Sequence, residues 1–343
     1  MATLRTNTVS GIGTEGTVFQ GGLLFDSQNY MVLPKGTLDQ RDNDGGGRAV
    51  FGGGEVPASP GTTDTIDYVD FSSSAIVAPD FGDLSQARRK AASVSSSTRG
   101  VFSAGATPGA TDVLDFITIL STGNAQDFGD MSTNVSQCFG GGSNTRGIFA
   151  GGYNDVNRIE YITIATTGNV TDFGDLLTGR FDNAGFASPT RVFFAGGKNT
   201  PASPDTQVNI EFVTIATTGN GTVFGDMITA TRGPTGAASN TRGLMATSAS
   251  GTNNIEFITM ATSGNAKRFG DLLVGRAEVL SGGTSNNVRA LFGGGADQPS
   301  SPYYSNHIDF VRIATEGNAM DFGDLSIVRS CTAGVSNAHG GLS

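Results

Sequence analysis

Short apolar runs separated by clusters of Gly, Ser, Thr and Asn recur along this chain at a nearly fixed interval. A representative unit carries an Arg-led apolar run, Arg146-Gly147-Ile148-Phe149-Ala150-Gly151-Gly152, and then an apolar–acidic–aromatic run, Ile159-Glu160-Tyr161-Ile162-Thr163-Ile164. A Gly-Asn turn and the triplet Phe-Gly-Asp complete it. The triplet occurs at Phe81, Phe128, Phe173, Phe224, Phe269 and Phe322, at intervals of 47, 45, 51, 45 and 53 residues. Self-similarity at this period marks propellers and solenoids. The Ile/Val/Thr/aromatic content of the runs predicts strands, and Thr122-Gly123-Asn124 supplies a turn where positive φ is cheap. In the unit that follows the first triplet, the predicted strands are Ser85–Val94, Arg99–Ser103, Leu114–Ile119 and Ala125–Phe128. Four short strands in a unit of about 48 residues make one propeller blade.

The ends of the repeat decide between a ring and an open stack. Arg48, which leads the first unit, has no strand before it, whereas the last triplet is followed by an orphan strand in Leu325–Val335. Joining the two completes the first blade and closes the ring. Closure removes exposed sheet edges, and an open solenoid would need polar capping units that the C-terminal segment lacks. The predicted fold is therefore all-β, a six-bladed propeller over residues 46–343, preceded by an extended arm over residues 1–45. So short an arm cannot build its own core and should dock on the propeller or on a partner.

Three marks recur in every unit. They are Arg48, Arg99, Arg146, Arg191, Arg242 and Arg289; the acids Asp67, Asp115, Glu160, Glu211, Glu256 and Asp309; and the triplet aspartates Asp83, Asp130, Asp175, Asp226, Asp271 and Asp324. They could form rings of charge around an ion or ligand. A residue present in every unit more often serves the unit, with Asp bonding nearby turn N–H groups and Arg joining blades through carbonyls or carboxylates. Cys138 and Cys331 fall at nearly the same repeat position. They are expected on corresponding strands as separate buried thiols; the rival is a disulfide, which needs Cα atoms within ~7 Å.

Composition narrows the function. Net charge is −10 and charged residues are 15%, which argues against nucleic-acid binding through a basic face. No apolar run approaches the ~18–20 residues that span a bilayer, and Met1–Asn7 lacks the apolar core of a secretory signal. If the protein acts outside a cell, it is expected to leave by another route, such as lysis. No His-Glu-x-x-His, Cys-x-x-Cys or Gly-x-Ser-x-Gly occurs, and no Gly-rich run leads into Lys-Ser/Thr and a helix. No catalytic residue, metal site or cofactor is expected.

Variation concentrates in the loops between the second and third strands. Three are long: Glu55 to Asp64, Lys198 to Asn209, and Ala296 to His307. Variable loops on a rigid scaffold are where recognition normally sits. The candidate binding residues are Glu55, Asp64, Lys198, Asn199, Asp205, Asp297, Gln298, Tyr303, Tyr304 and His307. Exposed tyrosine gives large amphipathic contact at small entropic cost, which singles out Tyr303 and Tyr304. The alternative is that these loops pack on one another.

Leu33-Pro34-Lys35-Gly36-Thr37-Leu38-Asp39-Gln40-Arg41 resembles the Leu-Pro-x-Gly-Thr-Thr-x-Gln-Arg segment of many tailed-phage fibre and virion proteins. Arg5–Val9 and Gly13–Phe19 are similar to the short anchor motif that precedes it. The repeat, as in Ile159–Asn169 and the following Phe-Gly-Asp, resembles the kelch-like repeats of marine phage structural proteins, notably those of cyanophages. Ordinary kelch repeats are a looser match: Gly151-Gly152 and Gly196-Gly197 are present, but Ala104-Gly105 and Ala246-Thr247 replace the pair elsewhere, and Trp is absent. The resemblance implies a non-enzymatic virion protein and a homo-oligomer on the particle. Its arm (Leu4, Arg5, Phe19, Phe25, Tyr30, Leu33, Pro34, Arg41) would bind other virion proteins, and its loops a host-surface glycan or protein. A spacer or decoration protein and a glycan-active propeller enzyme are the alternatives.

Overall fold

The structure, a computed structural model, describes residues 45–57, 61–73, 76–246, 253–277, 282–297 and 304–342. The arm positions from Leu4 to Arg41 lie outside the described residues. Every regular element among them is a β-strand.

Six small antiparallel sheets form a six-bladed propeller. Counted from the axis outward, blade 2 is Ala92–Ser95, Arg99–Ser103, Gly109–Thr118 and Gln126–Val135. Blade 3 is Phe139–Gly142, Arg146–Ala150, Arg158–Thr163 and Thr171–Asp175. Blade 4 is Ala184–Ala187, Arg191–Ala195, Asn209–Thr214 and Thr222–Asp226. Blade 5 is Thr235–Ala238, Arg242–Ala246, Asn254–Thr259 and Lys267–Asp271. Blade 6 is Gly283–Ser285, Arg289–Gly293, His307–Arg312 and Met320–Asp324. Blade 1 takes Arg48–Glu55, Thr62–Asp70 and Asp80–Asp83 from the start of the repeat, and Ala333–Ser336 from its end. Ala49 to Gly52 pair with Ser336 to Ala333, so the C-terminal strand closes the ring as the orphan segment predicts.

Strand order is as expected and strand limits are not. The innermost strand of blade 2 begins at Ala92, not Ser85, because Leu84–Ala91 forms a connector that buries the Arg88 side chain. The third strand starts earlier, at Gly109, and the fourth runs on through the triplet to Val135.

The triplet works the same way in all six blades. Its Phe is the extra residue of a β-bulge: Ile159 pairs with Gly174 and Glu160 with Asp172, leaving Phe173 unpaired, and the other blades repeat this register. A bulge re-aims a side chain, here into the core, where all six Phe rings are buried. Each meets the third-strand aromatic edge-on, at 5.8–6.1 Å between centroids. The Arg that leads the second strand lies over that same aromatic, 4.2–4.7 Å from its centroid, a favourable cation–π distance.

These arginines also link the blades. Arg48 donates to Ile119 O, Arg99 to Ile164 O, Arg146 to Ile215 O, Arg191 to Met260 O, Arg242 to Ile313 O and Arg289 to Phe71 O. Each bond reaches the next blade, and the last returns to blade 1. The triplet aspartates link blades through their main chain. Asp83 N–H donates to Asn124 Oδ1 of the next blade's turn, Gly123 N–H to Phe81 O, and Ala125 N–H to Asp83 O. The same clasp recurs at Asn169, Asn220, Asn265 and Asn318. Between blades 6 and 1, which lacks that turn, Ile76–Val77 pairs in parallel with Gly323 and Asp324 instead.

Candidate functional site

Up-and-down strand order puts the 2–3 loops and the blade-to-blade connectors on one face of the disc, and the 1–2 and 3–4 turns on the other. The chain enters the propeller on the turn face. Gly46 O accepts from Asn286 Nδ2, and Gly47 O from Phe71 N–H, immediately before Arg48. The C-terminal residues also lie there: Arg48 N–H donates to Asn337 Oδ1, and His339 Nε2 contacts Ser95 O at 2.9 Å.

The axis offers little room. The inner strands approach so closely that a Cβ on Gly140, Gly185, Gly236 or Gly283 would lie 2.4–2.6 Å from a carbonyl oxygen of the preceding blade. The remaining channel has a cavity of about 60 Å³, lined by inner-strand residues with His339 and Gly340. Small-molecule sites usually enclose ~300 Å³ or more. At the loop end Phe139 packs on Cys331, two blades round the ring, and lines a smaller cavity of about 40 Å³. At the turn end Gly340 N–H donates to Ala238 O. Burial holds the His339 imidazole below its ordinary pKa.

Among the described residues, five connectors turn into their inner strands through a left-handed residue: Lys90, Gln137, Asp182, Gly233 and Cys331. Their main chains form an arc of hydrogen bonds around the axis, Lys90 N to Cys331 O, Gln137 N to Lys90 O, Asp182 N to Gln137 O and Gly233 N to Asp182 O. Cys138 and Cys331 are both buried thiols. They sit in the connectors rather than on strands, and burial pushes the Cys138 thiol up to about 12.

The sequence candidates fall into separate groups. Glu55 takes Arg89 at 2.6 Å and the Tyr304 hydroxyl at 3.4 Å, at the junction of blades 1 and 6. Asp64 contributes its carbonyl to Leu84 N–H. Lys198, Asn199 and Asp205 build the blade 4 loop: Lys198 pairs with Asp205 at 2.8 Å, and Asn199 Oδ1 accepts from Ala202 N–H. The Lys198 contact holds the Asp205 carboxyl below its ordinary pKa. His307 opens the third strand of blade 6, 3.0 Å from Asp324. Asp297 forms a backbone pair with Arg276; Gln298 and Tyr303 lie outside the described residues.

Two sets escaped the sequence reading. Arg88, Arg180, Arg276 and Arg329 are fully buried and pair with third-strand acids: Arg88 with Asp115 at 2.6 Å, Arg276 with Asp309 at 2.5 Å, Arg329 with Asp67 at 2.9 Å, and Arg180 with Glu211. All four stand seven residues after a triplet Phe, a spacing that could have revealed them. The second set is Tyr153, Gln137, Asp182 and Arg232, where blades 3 and 4 meet. Gln137 Nε2 donates to Asp182 Oδ1 at 2.6 Å and Arg232 Nε to Asp182 Oδ2 at 2.7 Å. Tyr153 lies 5.4 Å from the Phe181 ring.

Among the described residues no group of three or more His, Cys, Asp or Glu could hold a metal ion, and no helix is long and apolar enough to cross a membrane. No known protein-family description matches this chain, and no curated protein matches it either.

Proposed function

We propose that this chain is a non-enzymatic structural protein of a tailed-phage particle. Residues 1–45 fix it to the tail or fibre apparatus, and the kelch-like propeller presents its variable loops to a host surface or a neighbouring subunit. The observation that carries this reading is the polarity of the disc. The chain enters at Gly45–Gly47 on the turn face, and the 2–3 loops stand on the opposite face. The arm therefore joins the propeller at the face opposite the variable loops. The arm's resemblance to fibre anchor segments supports the same direction, and the small axial cavity favours surface contact over turnover within a pocket.

Deleting residues 1–44 tests it. The remaining chain should unfold cooperatively but fail to join particles when supplied during assembly. Incorporation without the arm overturns the anchoring role. A spacer or decoration role is the second reading, favoured by the internal ties of the loops through Lys198–Asp205 and Glu55–Arg89. A spacer leaves host cells unbound by purified propeller; a receptor-binding protein does not.

A further inference from the structure

We propose that the junction of blades 3 and 4 on the loop face is a binding subsite for a neutral pyranose sugar, which rests on the outward, host-facing role inferred above. Tyr153 is the one mostly exposed aromatic side chain among the described residues, at 54%. Its ring packs against buried Phe181 at 67° between planes, and its N–H donates to Ser136 O, so the exposed face has a fixed orientation. The loop behind it is tied to blade 4 by Asp155 Oδ1, which accepts from Thr200 N–H at 2.8 Å.

Polar groups flank the Phe181 segment on which the ring packs. Asp182, next to Phe181, is fully buried and holds Arg232, whose side chain is 45% exposed. Lys198 exchanges main-chain hydrogen bonds with Phe181 and pairs with Asp205. A pyranose has an apolar C–H face and a rim of hydroxyls. A rigid tyrosine ring suits the first; a positioned guanidinium and an ammonium–carboxylate pair suit the second through charge-assisted bonds. Each cation here is already matched by a carboxylate, and the chain carries −10 overall, so a neutral sugar fits better than an acidic one.

The test presents the full chain to a printed array of neutral and acidic oligosaccharides and, separately, to host cells with and without periodate treatment of their surface sugars. The proposal expects binding to neutral glycans, weakened about tenfold or more in Tyr153→Ala and largely kept in Tyr153→Phe, with unchanged thermal unfolding. No array binding, or equal binding by Tyr153→Ala, overturns the subsite. Cell binding that survives both periodate and Tyr153→Ala also overturns it while leaving the attachment reading intact. Array binding with the Tyr153 dependence but no cell binding supports the subsite and removes the attachment reading.

Discussion

Every blade buries a carboxylate on its third strand, but the carboxylates are not held alike. Asp67, Asp115, Glu211 and Asp309 each meet an arginine from the connector, while Glu160 takes Arg158 of its own strand at 3.1 Å. Removing one partner of a buried pair leaves an uncompensated charge. Arg329→Met should therefore cost about 3–5 kcal/mol in urea unfolding, and adding Asp67→Asn should recover part of it. Glu256 accepts the main-chain N–H groups of Ile228 and Thr229, and burial raises its carboxyl above the ordinary 4.5. The folded state then binds this proton more tightly than the unfolded chain, so the group's stabilising share is complete below 4.5 and is lost as pH rises through the raised value. Glu256→Gln removes that share. Its unfolding free energy relative to wild type should shift in the variant's favour between about pH 4 and about pH 8; a difference constant across that range contradicts the assignment.

At the scale of the element, the clasp between triplet and turn is steric as well as hydrogen-bonded. A Cβ on Gly225 would lie 2.3 Å from Gly264 O in the neighbouring blade, whereas a Cβ on Gly264 meets nothing within 4 Å. Two alanine substitutions on opposite sides of one contact should thus behave differently. Gly225→Ala should lower stability by about 1–3 kcal/mol, and Gly264→Ala should stay within about 0.5 kcal/mol, both read from denaturant midpoints. The repeat made strand order and closure legible, because each unit carries its own turn signals. The clasp itself was hidden: the partner of Asp83 is Asn124, 41 residues away in the next unit, and periodicity within a unit says nothing of contacts between units. The sequence predicts a strand over Ser85–Val94, with the polar run Arg88-Arg89-Lys90 inside it. Arg88 is instead buried on Asp115. Loop length was likewise a poor guide to the surface: Tyr153 sits in a short loop, while Lys198, Asn199 and Asp205 of a long one bond mainly to each other and to neighbouring main chain.

For the whole molecule, closure rests on a few residues from the far end of the chain. Ala333–Ser336 covers the inner edge of Arg48–Glu55, and Ala333 and Val335 share a core with Val50 and Phe102. Ser326 and Arg329, just before this strand, both bond Asp67 of blade 1. The residues after Ser336 add Asn337 on the Arg48 N–H, His339 on Ser95 O and Gly340 on Ala238 O. Two truncations separate these roles. A chain ending at Ser336 keeps the closing strand and loses a few hydrogen bonds, each worth ~1 kcal/mol net; it should remain monodisperse and unfold cooperatively at a slightly lower midpoint. A chain ending at Thr332 exposes the inner edge of blade 1, an unpaired strand that templates association with other chains. It should aggregate or oligomerise in light scattering, and a peptide of residues 333–343 added during refolding should suppress this. A monodisperse chain ending at Thr332 with an unchanged midpoint would mean that the five complete blades and the rim contact at Ile76–Val77 hold the ring without its final strand.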